Sequence, residues 1–140
     1  MRRLLLLTLL ASTGFSAADI DLIQPDQAVK ELGGALVIHV GFPVLYRSTH
    51  IPGSIYAGPG SKDEGIADLK KAVASQPRTR EIILYCGCCP FDKCPNIRPA
   101  FAALRGMGFT HVRAMMLATN LKTDWIDKGY PIDKRADQTQ

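Results

Sequence analysis

No apolar run in this 140-residue sequence is long enough to cross a bilayer. The stretch over residues 4–11 falls well short of the ~20 residues that a spanning helix needs. Charge of one sign is scarce too. Against 17 Lys and Arg stand 13 Asp and Glu, a formal charge of +4, which is too small a bias to argue for a nucleic acid or an acidic membrane surface as partner. There is no internal repeat and no low-complexity tract, so a solenoid is excluded. Cysteines are missing from all but one place: the four of them are Cys86, Cys88, Cys89 and Cys94. A disulfide framework spreads its cysteines to staple distant segments, so this tight cluster reads as a site and not as a framework. The two well-separated C-x-x-C pairs of a zinc ribbon are absent as well.

The chain opens with Met1-Arg2-Arg3, a short apolar core, and then Ser12-Thr13-Gly14-Phe15-Ser16-Ala17-Ala18. A positive start, a short apolar core and small residues at 16 and 18 form the order of a secretory signal cleaved after Ala18. The alternative, a retained membrane anchor, is disfavoured by the length of the core. No cysteine lies near the cleavage site, which argues against a lipoprotein. The expected location is periplasmic or secreted, with no stable membrane insertion after cleavage. The mature chain of about 122 residues suits one domain with one hydrophobic core. Without Arg2 and Arg3 its side-chain charge falls to about +2, so the expected partners are small molecules or another protein.

Apolar runs of strand length at 36–40 and 82–85 predict strands buried on both faces. Shorter strands are expected at 20–23, 55–57 and 111–116. Helices are expected over 25–32, where Pro25-Asp26-Gln27 opens and Gly33-Gly34 closes, over 63–75 with apolar residues at helical spacing, over 97–105 behind Asn96 as cap, and over 121–128. Pro99 falls in a first turn, where its missing N–H costs nothing. Residues 41–60 are rich in Gly and Pro and read mostly as loop. Alternating strands and helices imply an α/β domain over 19–140: a small, mostly parallel sheet flanked by helices on both faces. The polar tail 135–140 is expected to fray.

Four landmarks then stand in order: His50-Ile51-Pro52-Gly53-Ser54-Ile55 preceded by Tyr46; the strand 82–85 ending at Cys86; Gly106-Met107-Gly108-Phe109-Thr110-His111-Val112; and Trp125-Ile126-Asp127-Lys128-Gly129-Tyr130-Pro131. In these the chain resembles the rhodanese-like sulfurtransferase family across nearly all of its mature length. The resemblance implies a persulfide carried on Cys86, made by attack of its thiolate on the outer sulfur of thiosulfate or a persulfide, and passed to an acceptor thiol or cyanide. It implies no cofactor. Three departures stand beside it. His39-Val40-Gly41 occupies the place where the family usually has Asp-Val-Arg, the loop after Cys86 is longer than usual, and the Gly-Gly pair normally found before the tryptophan is missing.

The loop of residues 86–96 runs from the carboxyl end of a strand to the amino end of a helix, where α/β sheets bind ligands and favour anions. A helix N-terminus or a neighbouring cation lowers a thiol pKa. Cys86 is the candidate nucleophile, and Lys93 and Arg98 are candidates for binding the substrate anion. Cys88, Cys89 and Cys94 are candidate resolving or redox partners. Cys86 and Cys89 have the C-x-x-C spacing of thiol–disulfide exchange, Cys94 is placed to resolve a persulfide on Cys86, and a local disulfide would simply stiffen the loop. All four sulfurs together could ligate Zn²⁺ or Cu(I). Three functions therefore compete at this point: sulfurtransferase, thiol–disulfide oxidoreductase, and non-enzymatic carrier of metal or sulfur. His50 reads as a structural residue bonded to backbone, His39 as a satisfied core histidine, His111 as without a special role, and Trp125 as a core anchor.

Overall fold

The structure, a computed structural model, describes residues 19–134. The expected leader 1–18 and the tail 135–140 lie outside the described residues. Among the described residues seven strands and four α-helices follow in the order β1 (Leu22–Ile23), α1 (Pro25–Glu31), β2 (Leu36–His39), α2 (Pro43–Ser48), β3 (Thr49–His50), β4 (Ile55–Tyr56), α3 (Asp63–Ala72), β5 (Ile82–Tyr85), α4 (Ile97–Gly106), β6 (Val112–Met115) and β7 (Asp133–Lys134). A 3₁₀ turn spans Phe91–Lys93 and a π-helical turn spans Lys122–Ile126. No helix among the described residues is long and apolar enough to cross a membrane.

Five strands form one sheet in the order β1-β6-β5-β2-β4, every neighbouring pair parallel. The continuous apolar sequences of β2 and β5 put them in its centre, because a strand covered on both faces has no polar side to offer. Side chains alternate across it. Ile38, Val40, Ile82, Leu84 and Cys86 share a core cluster with Leu69 near the end of α3 and with Ile97, Phe101 and Leu104 of α4. Val37, Ile83 and Tyr85 face the other way and pack with Ala28 of α1, Ile51, Leu121 and Trp125. The period of two thus sends Cys86 under α4 and its neighbour Tyr85 to the opposite layer. Trp125 is fully buried and its Nε1–H donates to the Pro131 carbonyl at 2.8 Å. That satisfies the one polar atom of the anchor.

The expected α/β architecture is present, with several boundaries moved. β1 is shorter than 20–23, α3 ends at Ala72 rather than Ser75, and the last helix is a π-helical turn. The segment 41–60 is not mostly loop. It holds α2, which begins at Pro43, where the ring presets φ for a first helical residue. It also holds β3, which pairs antiparallel with β7, joining Thr49 to Lys134 and His50 to Asp133.

Candidate active site

Cys86 follows β5 directly at the carboxyl edge of the sheet, and the loop after it returns to α4 through the 3₁₀ turn. Gly87 takes φ +87°, a left-handed conformation that glycine adopts without a Cβ penalty, and this turns the loop immediately after the thiol. The Sγ atoms of Cys86, Cys88 and Cys94 all lie within 4.8 Å of one another. Cys86 and Cys88 are 3.3 Å apart, and Cys88 and Cys89 are 3.0 Å apart. Cys86 and Cys94 are buried, whereas Cys88 and Cys89 are half-buried. None of these four cysteines is in a disulfide.

Asn96 holds this arrangement in place. It is completely buried. Its Oδ1 accepts the Ser61 N–H at 3.0 Å, and its Nδ2 donates to Cys86 Sγ at 3.3 Å. The expected role was a side-chain cap for α4, yet no side-chain cap bond is formed at that terminus. Both ends of the amide are used instead to tie the start of α4 to the segment before α3 and to the sulfur. The approach is tight: a Cβ on Gly60 would stand 2.2 Å from the Asn96 carbonyl oxygen.

The electrostatics correct one expectation. The helix terminus does not turn Cys86 into the resting anion. Its hydrogen bond with Cys94, its burial and the charge on Cys94 push the Cys86 thiol well above the usual range, outweighing the Asn96 donor. Cys94 is held down to about 6, first by the hydrogen bond from Cys86 and then, against its own burial, by the backbone N–H groups of Asn96 and Ile97. The two sulfurs share one proton, and the negative charge rests on Cys94. Cys89 is pushed up to about 12 by burial and by its thiol neighbours. A consequence is open to measurement: one thiolate per chain should absorb at 240 nm at neutral pH and disappear as the pH falls through about 6. Cys94→Ser should remove that transition. An unaltered titration in C94S would show that the anion sits elsewhere.

His39 ends β2 and is fully buried. It is not the satisfied core histidine expected. Its Nδ1 accepts the Gly41 N–H at 3.2 Å, but its Nε2 has no partner. Burial, reinforced by His50, lowers its pKa to about 4, so the ring is neutral at pH 7. With Nδ1 accepting, the proton sits on Nε2. The ring stands edge-on to Tyr85 at 4.8 Å. A Cβ at Gly41 would lie 2.9 Å from His39 Cε1 and 3.0 Å from Cys86 Sγ. Histidine and sulfur together fill the space that a side chain at 41 would need, which explains the glycine two residues beyond β2.

His50 is structural as expected: its Nδ1–H donates to the Tyr46 carbonyl at 2.9 Å and its ring stacks on Tyr46 at 4.2 Å. Ser54, in the same motif, donates to the Ile51 carbonyl at 2.6 Å, so the Tyr85 hydroxyl donates to Ser54 Oγ at 3.0 Å and accepts the Ile51 N–H at 3.1 Å. This pins the His50–Ser54 motif to the end of β5. Lys93 and Arg98 are exposed, and the Arg98 guanidinium lies 5.5 Å over the Phe91 ring. Neither bonds to a cysteine sulfur among the described residues.

The possible ligand set of four sulfurs becomes three, Cys86, Cys88 and Cys94, with Cys89 outside it. Three thiolates suit a soft ion such as Cu(I). A cleft of about 480 Å³ opens beside the loop, lined by His39, Leu45, Gly87, Cys88, Leu121 and Lys122 among others. Of the four cysteines, Cys88 alone lines it.

No protein-family model matches this sequence, and no curated protein matches it. Solved structures do match. The rhodanese-like domain of Anabaena sp. Alr3790 superposes with a TM-score of 0.60 at 21% identity, over 85% of this chain and 84% of that one. BH2092 from Bacillus halodurans gives 0.64 at 18% identity, over 82% and 77%. A rhodanese-related protein from Thermoplasma volcanium gives 0.57 at 17% identity, over 81% and 97%. The chain has the rhodanese-like fold.

Proposed function

We propose that this chain is an exported sulfurtransferase that carries sulfane sulfur as a persulfide on Cys86. The observation that carries the reading is the place of Cys86: the last residue before the loop at the carboxyl edge of a rhodanese-like sheet, with two further thiol sulfurs within 4.8 Å. The chemistry follows from the shared proton. When Cys86 gives its proton to the Cys94 thiolate, it becomes the nucleophile, stabilised by the Asn96 Nδ2–H. Its sulfur attacks the outer sulfur of thiosulfate, the S–S bond of the donor breaks, and sulfite leaves with the electron pair. An acceptor thiolate or cyanide then takes the outer sulfur and Cys86 is released as the thiolate. The exposed cations Lys93 and Arg98 near the start of α4 are suited to drawing an anionic donor to the loop. The amino-terminal segment supports export, where oxidising surroundings make the redox state of the four thiols part of the activity.

The test is stoichiometric. Mixed with thiosulfate and no acceptor, the reduced chain should release one sulfite per chain in a burst, and added cyanide should convert the stored sulfur to thiocyanate. No sulfite released from thiosulfate, together with no sulfur gained by the chain from an organic persulfide, would dismiss the reading.

A second reading, thiol–disulfide exchange, is supported by the 3.3 Å contact of Cys86 with Cys88. The pair it favours is therefore Cys86 and Cys88, not the C-x-x-C pair Cys86 and Cys89.

A further inference from the structure

We propose that Cys88 is the exit thiol of this site: sulfur stored on buried Cys86 moves to Cys88 and leaves from there to an organic thiol bound in the adjoining cleft. The inference rests on the Cys86 persulfide reading and adds a second carrier to it. Three observations meet here. Cys86 is only 4% exposed and does not line the cleft. Cys88 is half-buried and lines it. The two sulfurs are 3.3 Å apart, already in contact.

The step balances without an outside oxidant or reductant. The Cys88 thiolate attacks the outer sulfur of the Cys86 persulfide, a new S–S bond forms on Cys88, the Cys86–sulfur bond breaks, and Cys86 keeps the electron pair as thiolate. The proton of Cys88 passes to a neighbouring sulfur of the cluster. An acceptor thiolate then repeats the same displacement at Cys88.

The walls of the cleft fit an organic thiol better than an inorganic anion alone. Leu45, Leu121, Ile126 and Ile132 give apolar surface and Lys134 a cation at the rim. Lys122, also on the wall, is already paired with Asp127 at 2.9 Å. A two-atom nucleophile such as cyanide makes no use of the cleft walls and takes sulfur directly from Cys86. An organic thiol seated against those walls meets Cys88, the one cysteine of the four that lines the cleft.

The experiment uses the full mature chain loaded with thiosulfate, freed of donor, and mixed with 3-mercaptopropionate or with cyanide; the sulfur left on the protein is followed by mass. In wild type both acceptors should discharge the chain. In Cys88→Ser the sulfur should stay on Cys86 in the presence of the thiol, with discharge slowed at least tenfold, while cyanide still removes it. Discharge of C88S by the thiol at the wild-type rate would overturn the relay, and so would a C88S chain that never loads, since sulfur would then enter at Cys88. If wild type itself never loads, the persulfide reading fails and the relay with it.

Discussion

Cys86→Ser is expected to lower sulfur transfer from thiosulfate to cyanide by at least about 10³-fold, the scale seen when a covalent nucleophile is removed. Serine oxygen cannot hold a sulfane sulfur, and its hydroxyl is not ionised at neutral pH. The remaining thiolate, on Cys94, does not substitute, because the backbone N–H groups of Asn96 and Ile97 that hold its pKa down also lower its nucleophilicity. Folding should be nearly untouched. Serine is close to cysteine in size, and its oxygen can still accept from Asn96 Nδ2. Thiocyanate formation and a thermal melt on the same preparation separate the two effects. Retention of more than a tenth of the wild-type rate would remove Cys86 from the reaction.

Asn96→Ala should show the largest loss of stability near the site, about 2 kcal/mol, because it opens a cavity in place of a fully buried side chain and leaves a part-buried backbone N–H without its acceptor. The orphaned donor is the Ser61 N–H, now 3.0 Å from Asn96 Oδ1. The same substitution removes the donor that opposes the upward shift of the Cys86 pKa. Ionisation of Cys86 becomes harder, and the sulfite burst should slow by about tenfold, the equivalent of one pKa unit. Asn96→Asp separates the two roles. Its carboxylate still accepts from Ser61, so less stability is lost, but it sets a negative charge against Cys86 in place of a donor and should slow the burst further. Urea midpoints and burst rates on both variants give the comparison. Equal burst rates in N96A and wild type would leave Asn96 a purely structural residue.

The core of the sheet was legible because β2 and β5 write their burial directly into continuous apolar runs, and because alternation from Ile82 to Cys86 decides which layer each side chain enters. The position of Cys86 was legible for the same reason: it is the first residue beyond a clear strand. What stayed hidden depends on contacts far apart in sequence or on elements too short to carry a period. α2 has no buried residue among its six, so it leaves no helical stripe to read. β3 and β7 are two residues each and pair across most of the chain. Asn96 looked like a cap by its place before a helix, and only the approach of Ser61 and Cys86 gives its amide other work. The thiolate assignment did carry a signal. Cys94 is the cysteine nearest the start of α4, and helix-terminal N–H groups act over one turn. His39 could be placed in the core by its apolar neighbours, but an unpartnered Nε2 is a fact of packing, invisible in a string of residues.

The most direct measurement is the mass of the reduced chain before and after thiosulfate, with fragmentation to locate any added sulfur. A gain of about 32 Da within the segment holding Cys86, reversed by reductant and absent in C86S, is the expected result. A chain whose mass does not change, or one that gains sulfur on Cys94 when Cys86 is serine, would contradict Cys86 as the sulfur carrier.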